Sequence, residues 1–143
     1  PKPQNPMTNI LKLISFIMSA NNNKEDLFLQ ADNLLFKDKK FSDAEKVYRK
    51  IIEQDPKNID AWNSIAYCVK FASPNLGPDE IFKKLTAIYE TSLSFDSGDV
   101  EANFNVGLLY LQYKTDTSLA LQYFQKCVGR DNDGVSNCEF FRS

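Results

Sequence analysis

The chain contains no histidine. Imidazole is the commonest metal ligand and the commonest general base near neutral pH, so Ser–His, Cys–His and HExxH arrangements are excluded at once. Cysteine is scarce too. Cys68, Cys127 and Cys138 form an odd set without short spacings, which fits neither a disulfide framework nor a zinc site. Cys68 and Cys127 fall at apolar helical positions and read as small buried residues, which points to a reducing compartment such as the cytoplasm. The five glycines match no phosphate-cradling loop. A net charge of −2 and a pI near 5.2 lack the basic face that nucleic-acid recognition uses. No metal, no cofactor and no catalytic constellation is expected, and the chain is not read as an enzyme.

Long hydrophobic runs are also missing. The stretch Ile10–Ala20 is interrupted by Lys12 and falls well short of the ~20 apolar residues that span a bilayer. As a signal-peptide core it would place Met18, a poor residue, three places before a cut at Ala20. Ile10, Leu13, Ile14 and Ile17 recur at helical spacing, with Lys12, Ser15 and Ser19 elsewhere on the wheel. This predicts an amphipathic helix near residues 8–20 that covers the end of the domain. A targeting or partner-binding helix is the alternative.

Apolar residues make up 43% of the 143, enough for one domain with a real core. They recur with a long period. Phe28 and Trp62 are 34 residues apart, as are Asp32 and Ala66. The pattern Trp62-x2-Ile65-Ala66-x2-Val69 returns as Asn103-x2-Val106-Gly107-x2-Tyr110, with Asn103 in place of the tryptophan. A second helix pattern follows each. It runs Phe41-x2-Ala44-x3-Tyr48-x2-Ile51-x4-Pro56, then more weakly Leu85-x3-Tyr89-x2-Ser92-x4-Ser97, then Ala120-x3-Phe124-x2-Cys127-x4-Asn132. Small residues at Ala44, Ala66, Gly107 and Ala120 let helix axes approach closely. Each pair has more apolar surface than it can bury alone, so stacking neighbours completes the core. Trp62 is expected to be largely buried within it. Ser42-Asp43-Ala44-Glu45 reads as a capping box that starts the second helix of pair one, and Pro56 follows that helix's end.

These residues resemble the tetratricopeptide family over roughly residues 24–133. The resemblance implies an all-α fold, an αα-hairpin solenoid of three tetratricopeptide-like helix pairs with an additional N-terminal helix. The expected organisation is residues 1–23 as an N-terminal extension, 24–133 as the three repeats, and 134–143 as a C-terminal segment that could begin a further helix. Phe140 and Phe141 in that segment either fold back as a lid or belong to a longer repeat protein. The middle unit departs from the pattern. Its span from Pro56 to Ser97 is 41 residues, and the excess is placed in the turn-rich stretch 73–79. The third unit carries one extra residue near Tyr113–Ser118. Asp32 stands where a small residue is needed, a role Ala31 fills if pair one is shifted by one.

In such stacks the first helix of each pair lines a concave groove, which implies a peptide- or subunit-binding scaffold of the co-chaperone adaptor kind. Carried over by spacing, the groove-facing set is Asp26, Leu29, Asn33, Phe36 and Lys37 from pair one. Pair two supplies Asp60, Asn63, Tyr67 and Lys70, and pair three Glu101, Phe104, Leu108 and Leu111. Such a set could seat a peptide with apolar anchors and a basic group. A well-known branch grips the carboxylate tails of heat-shock chaperones through lysines, asparagines and an arginine. The matching places here hold Leu29, Asn33, Ser64, Glu101 and Asn105. Glu101 would repel a carboxylate, so a chaperone tail ending in EEVD is not the expected partner. The competing reading is a structural subunit of a large assembly, organellar in one version, that makes contact through its convex face, loop 73–79 or the N-terminal helix.

Overall fold

The computed structural model describes residues 5–128. Six helices follow one another: α1 (Pro6–Asp32), α2 (Phe41–Gln54), α3 (Ile59–Ala72), α4 (Pro78–Phe95), α5 (Val100–Leu109) and α6 (Thr117–Val128). The substantial contacts are between consecutive helices, α1 on α2, α2 on α3, and so on to α6. The result is a helical solenoid of three pairs with one continuous core. Tyr48, Ile51, Ile65, Ala66, Leu85 and Val106 are nearly or wholly buried along its axis. The proposed helix of residues 134–143, with Phe140 and Phe141, lies outside the described residues.

The pairs are joined by tight polar turns. Asn58 caps α3 by accepting from the Ala61 amide at 3.0 Å, and Asp99 caps α5 by accepting from the Ala102 amide at 2.9 Å. Such caps satisfy amides that the helix itself leaves unpaired. Pro56 follows the end of α2, and Pro78 opens α4, where its fixed φ and missing N–H suit a first helical turn. The capping box at 42–45 is not formed. α2 starts at Phe41 with Lys40 at its cap, so Ser42 is already inside the first turn.

A separate N-terminal helix is not seen. The 8–20 segment and the first helix of pair one are a single rod of 27 residues that runs through the boundary placed at 23/24. Asparagines at 21–23 are only mildly unfavourable to a helix, about 0.6 kcal/mol each against alanine, and no glycine or proline interrupts. The rod outreaches its partner α2, which has 14 residues. Ile10, Leu13, Ile14 and Ile17, expected to cover the domain end, are therefore exposed, as are Met7, Leu11, Phe16 and Met18.

Pairs one and three end their first helices alike. Each closes in a π-helical turn, Asn33–Lys37 or Tyr110–Lys114, followed by a residue in the left-handed region, Lys39 (φ 51°) or Thr115 (φ 50°). A π turn absorbs one inserted residue. That insertion fixes the register. Ala31, fully buried, and not the exposed Asp32, is the counterpart of Gly107. The excess of the middle pair is shared between the connector at 73–77 and a longer second helix, with 18 residues in α4 against 14 in α2.

Trp62 is half-buried rather than largely buried. Its ring packs at the core edge while its indole N–H donates to the Pro56 carbonyl at 2.8 Å. Asn103 is wholly buried at the equivalent place in the third pair. Cys68 and Cys127 are buried, as expected; burial pushes the Cys68 thiol up to about 12.

Candidate functional site

The first helices α1, α3 and α5 bring several of the spaced residues together. The rings of Phe36 and Tyr67 lie 6.4 Å apart, centroid to centroid, bridging α1's terminal turn to α3. Tyr67 in turn sits 4.7 Å from Phe71, one helical turn further along α3, and Phe71 stacks on Phe41 at 5.4 Å. Phe36 is 66% exposed, Tyr67 43% and Phe71 45%, so this aromatic row faces solvent. Tyr67 also lines a cavity of about 180 Å³ with Val100, Glu101, Phe104 and Asn105 of α5. The row and the cavity share Tyr67 and form one surface across all three first helices.

The acids of this surface are concentrated at the α5 end. Loss of water around the Glu101 carboxyl pushes it up from its ordinary range, and the nearby Asp99 and Asp60 carboxylates push it further. Glu101 remains exposed by surface area, so it is enclosed by its surroundings without being covered. Among the described residues, none of Asp60, Asp99 and Glu101 forms an ion pair; the pairs present are Lys24–Asp55, Lys46–Asp43, Arg49–Glu45 and Lys114–Asp79.

Other members of the spaced set lie elsewhere. Asn63 is buried and bonded on both sides. Its Oδ1 accepts from the Ser92 hydroxyl at 2.9 Å and its Nδ2 donates to Asp99 at 3.0 Å. It links α3 and α4 to the start of α5. Leu29 is exposed, but Phe28 occupies the place equivalent to Phe104. Phe28 packs on Tyr48 of α2 at 6.2 Å, as Phe104 packs on Phe124 of α6 at 5.7 Å, at the same interval in the chain. Asn33 is half-buried at the start of the π turn, and its carbonyl accepts from the Asp38 amide. Asp32 accepts a hydrogen bond from the Tyr48 hydroxyl. Leu108 lines a smaller cleft of about 20 Å³ with Lys70, Leu85, Tyr89 and Asn105, and Leu111 stands partly exposed on the second π turn.

Phe71, Phe41, Val100 and Asn105 belong to this surface and are not in the spaced set. Phe71 follows Tyr67 by one helical turn, and that spacing is the signal that could have found it. Among the described residues no group of three or more metal-binding side chains comes together, and no helix is long and apolar enough to cross a membrane.

The fold is that of a tetratricopeptide-like helical repeat, six helices packed as sequential pairs. Among solved structures the chain is similar to MamA, a tetratricopeptide-repeat protein, in the form described as "MamA RS-1 ArsTM double mutant". The match has a TM-score of 0.61 at 16% identity and covers 82% of this chain. The chain spans 61% of the length of that MamA chain. No family model and no curated sequence matches the chain.

Proposed function

We propose that the chain is an interaction scaffold that seats an extended or helical segment of a protein partner along α1, α3 and α5. The observation that carries this reading is the solvent-facing aromatic row Phe36–Tyr67–Phe71, leading into the Tyr67–Phe104 cavity. Large rings turned to water at adjoining places on the terminal turn of α1 and on α3 serve no core, and contiguous apolar patches of this kind mark interaction sites. Apolar anchors of the partner would pack along the row, while the charges beside the cavity set orientation.

The test is selection of peptides from a random phage library against the whole chain, followed by calorimetry. Phe36→Ala and Tyr67→Ala are expected to weaken the selected peptides about tenfold or more, with the melting midpoint little changed. Selected peptides that bind both variants with unchanged affinity overturn the reading.

A second reading has its own observation. The first four turns of α1 extend past α2 and expose Ile10, Ile14 and Ile17, which favours a structural subunit that docks through this rod. Under this reading Ile14→Glu/Ile17→Glu abolishes assembly with the partner while leaving peptide binding on α3 and α5 intact. Assembly that survives both substitutions counts against it.

A further inference from the structure

We propose that the cavity between Tyr67, Phe104 and Glu101 receives the side chain of an arginine from the partner segment. This deepens the scaffold reading and rests on it. The cavity holds about 180 Å³, below the roughly 300–1,000 Å³ typical of small-molecule sites and suited to a single long side chain. It is lined by the aromatic residues Tyr67 and Phe104, the aliphatic Val100, the polar Asn105 and the acidic Glu101. A guanidinium fits this combination: it is planar, stacks on aromatic faces, is weakly hydrated and presents N–H groups to a carboxylate.

Electrostatics favours a cation over a neutral anchor. Partial desolvation and the nearby Asp99 and Asp60 carboxylates push the Glu101 carboxyl up, against a hydrogen bond from Asn63, although its surface stays exposed. Asp99 is committed to Asn63 and to the α5 cap. Lys70, the lysine of the adjoining cleft, has its ammonium 5.8 Å from the centre of the Phe71 ring and makes no ion pair among the described residues. An apolar anchor would remove more water from Glu101 and raise the cost of its charge, whereas a cation supplies the opposite charge that its hydrogen bond from Asn63 does not. The positions of Asp60 and Glu101 in first helical turns explain why acids are tolerated there. They do not explain the aromatic walls.

The experiment is an NMR titration of the whole chain with two blocked amino acids, N-acetylarginine amide and its neutral isostere N-acetylcitrulline amide. The arginine probe is expected to shift the amides of Tyr67, Glu101 and Phe104. Its dissociation constant should be about five- to tenfold lower than that of the citrulline probe. The preference should vanish in Glu101→Gln and fade in about 1 M salt, where screening acts within about 3 Å. Asp60→Asn, which leaves the cavity wall intact, should reduce the preference without abolishing it. Equal response to the two probes, or shifts centred away from the cavity, overturns the assignment. If phage-selected peptides still map to Phe36 and Tyr67 but carry no arginine preference, the charge selection alone fails. If they map elsewhere, the scaffold reading fails with it.

Discussion

Trp62 and Asn103 make the same hydrogen bond one repeat apart. The Trp62 indole N–H donates to the Pro56 carbonyl at 2.8 Å, and the Asn103 amide donates to the Ser97 carbonyl at 3.0 Å. Both carbonyls lie in the turn that enters the helix. An asparagine can thus replace a tryptophan because the position needs a donor aimed backwards along the chain more than it needs volume. The asparagine makes a second bond to the Asp99 carbonyl at 2.8 Å, while its buried Oδ1 has no hydrogen-bond partner among the described residues.

Trp62→Ala is therefore expected to cost about 2–3 kcal/mol, toward the low end for an aromatic truncation because the ring is only half-buried. Asn103→Ala should cost about 1–2 kcal/mol, the two lost donations being partly offset by removal of the unpartnered oxygen. Urea unfolding of the two variants reads both values. An Asn103→Ala midpoint equal to wild type would show that the shared bond contributes nothing.

Asn63 accepts from Ser92 within the middle pair and donates to Asp99 at the start of the third, so its two bonds tie the two pairs together. Asn63→Ala should destabilise by about 2–3 kcal/mol, since it strands the Ser92 hydroxyl and one bond of the Asp99 carboxylate. Ser92→Ala should cost about 1–2 kcal/mol. The two effects should fall well short of adding in the double variant, because the same bond is lost once. Strict additivity in a double-mutant cycle would dismiss the network.

At Gly107 a Cβ would stand 2.5 Å from Cε1 of Phe124 and 2.8 Å from its Cδ1. Gly107→Ala gains up to about 1 kcal/mol in helix propensity but must push the ring aside, and overpacking of this kind costs about 1–3 kcal/mol. Net destabilisation is expected. Phe124→Leu introduced beside it should recover part of the loss. A Gly107→Ala protein more stable than wild type would mean that α5 and α6 are free to separate.

The helix pairs were legible because the apolar pattern repeats and because Pro56 and the turn-rich stretch 73–79 interrupt it, whereas the caps Asn58 and Asp99 were found only in the structure. The register of pair one was legible only as an alternative, with Ala31 in the place of Asp32. Its π turn inserts a residue after Ala31, so a strict period aligns Phe28 with Trp62, although Phe28 packs as Phe104 does. The Ser42–Glu45 pattern misled because a capping-box sequence also occurs inside a first turn. The rod-like α1 was hidden because hydrophobic spacing shows a helix and not whether anything covers it. At the candidate site, Phe36, Tyr67, Glu101 and Phe104 were reachable from spacing and do come together. Asn63 has the same spacing, but its commitment to Ser92 and Asp99 depends on a neighbouring pair that one helix cannot reveal.

Two carboxylates should move stability with pH in opposite directions. Asp55 is held below its ordinary value by the Asn58 amide first and by Lys24, 3.2 Å away, second. Its contribution is present above the unfolded carboxylate range and is lost as pH falls through its lowered folded value. Glu101 is raised, by loss of water first and then by Asp99 and Asp60, so the folded chain prefers it protonated. That contribution is complete below the ordinary glutamate range and disappears as pH rises through the raised folded value. At neutral pH, Asp55→Asn should therefore melt below wild type and Glu101→Gln above it. At about pH 3, where both carboxyls are largely protonated when unfolded, the Glu101→Gln advantage should close, and the Asp55→Asn deficit should shrink. Both groups are partly open to solvent, so the shifts are small and call for melts of all three proteins in the same buffers. A Glu101→Gln advantage that is unchanged by acid would mean that Glu101 acts by packing and not by charge, and the case for a cation in its cavity would lose its electrostatic half.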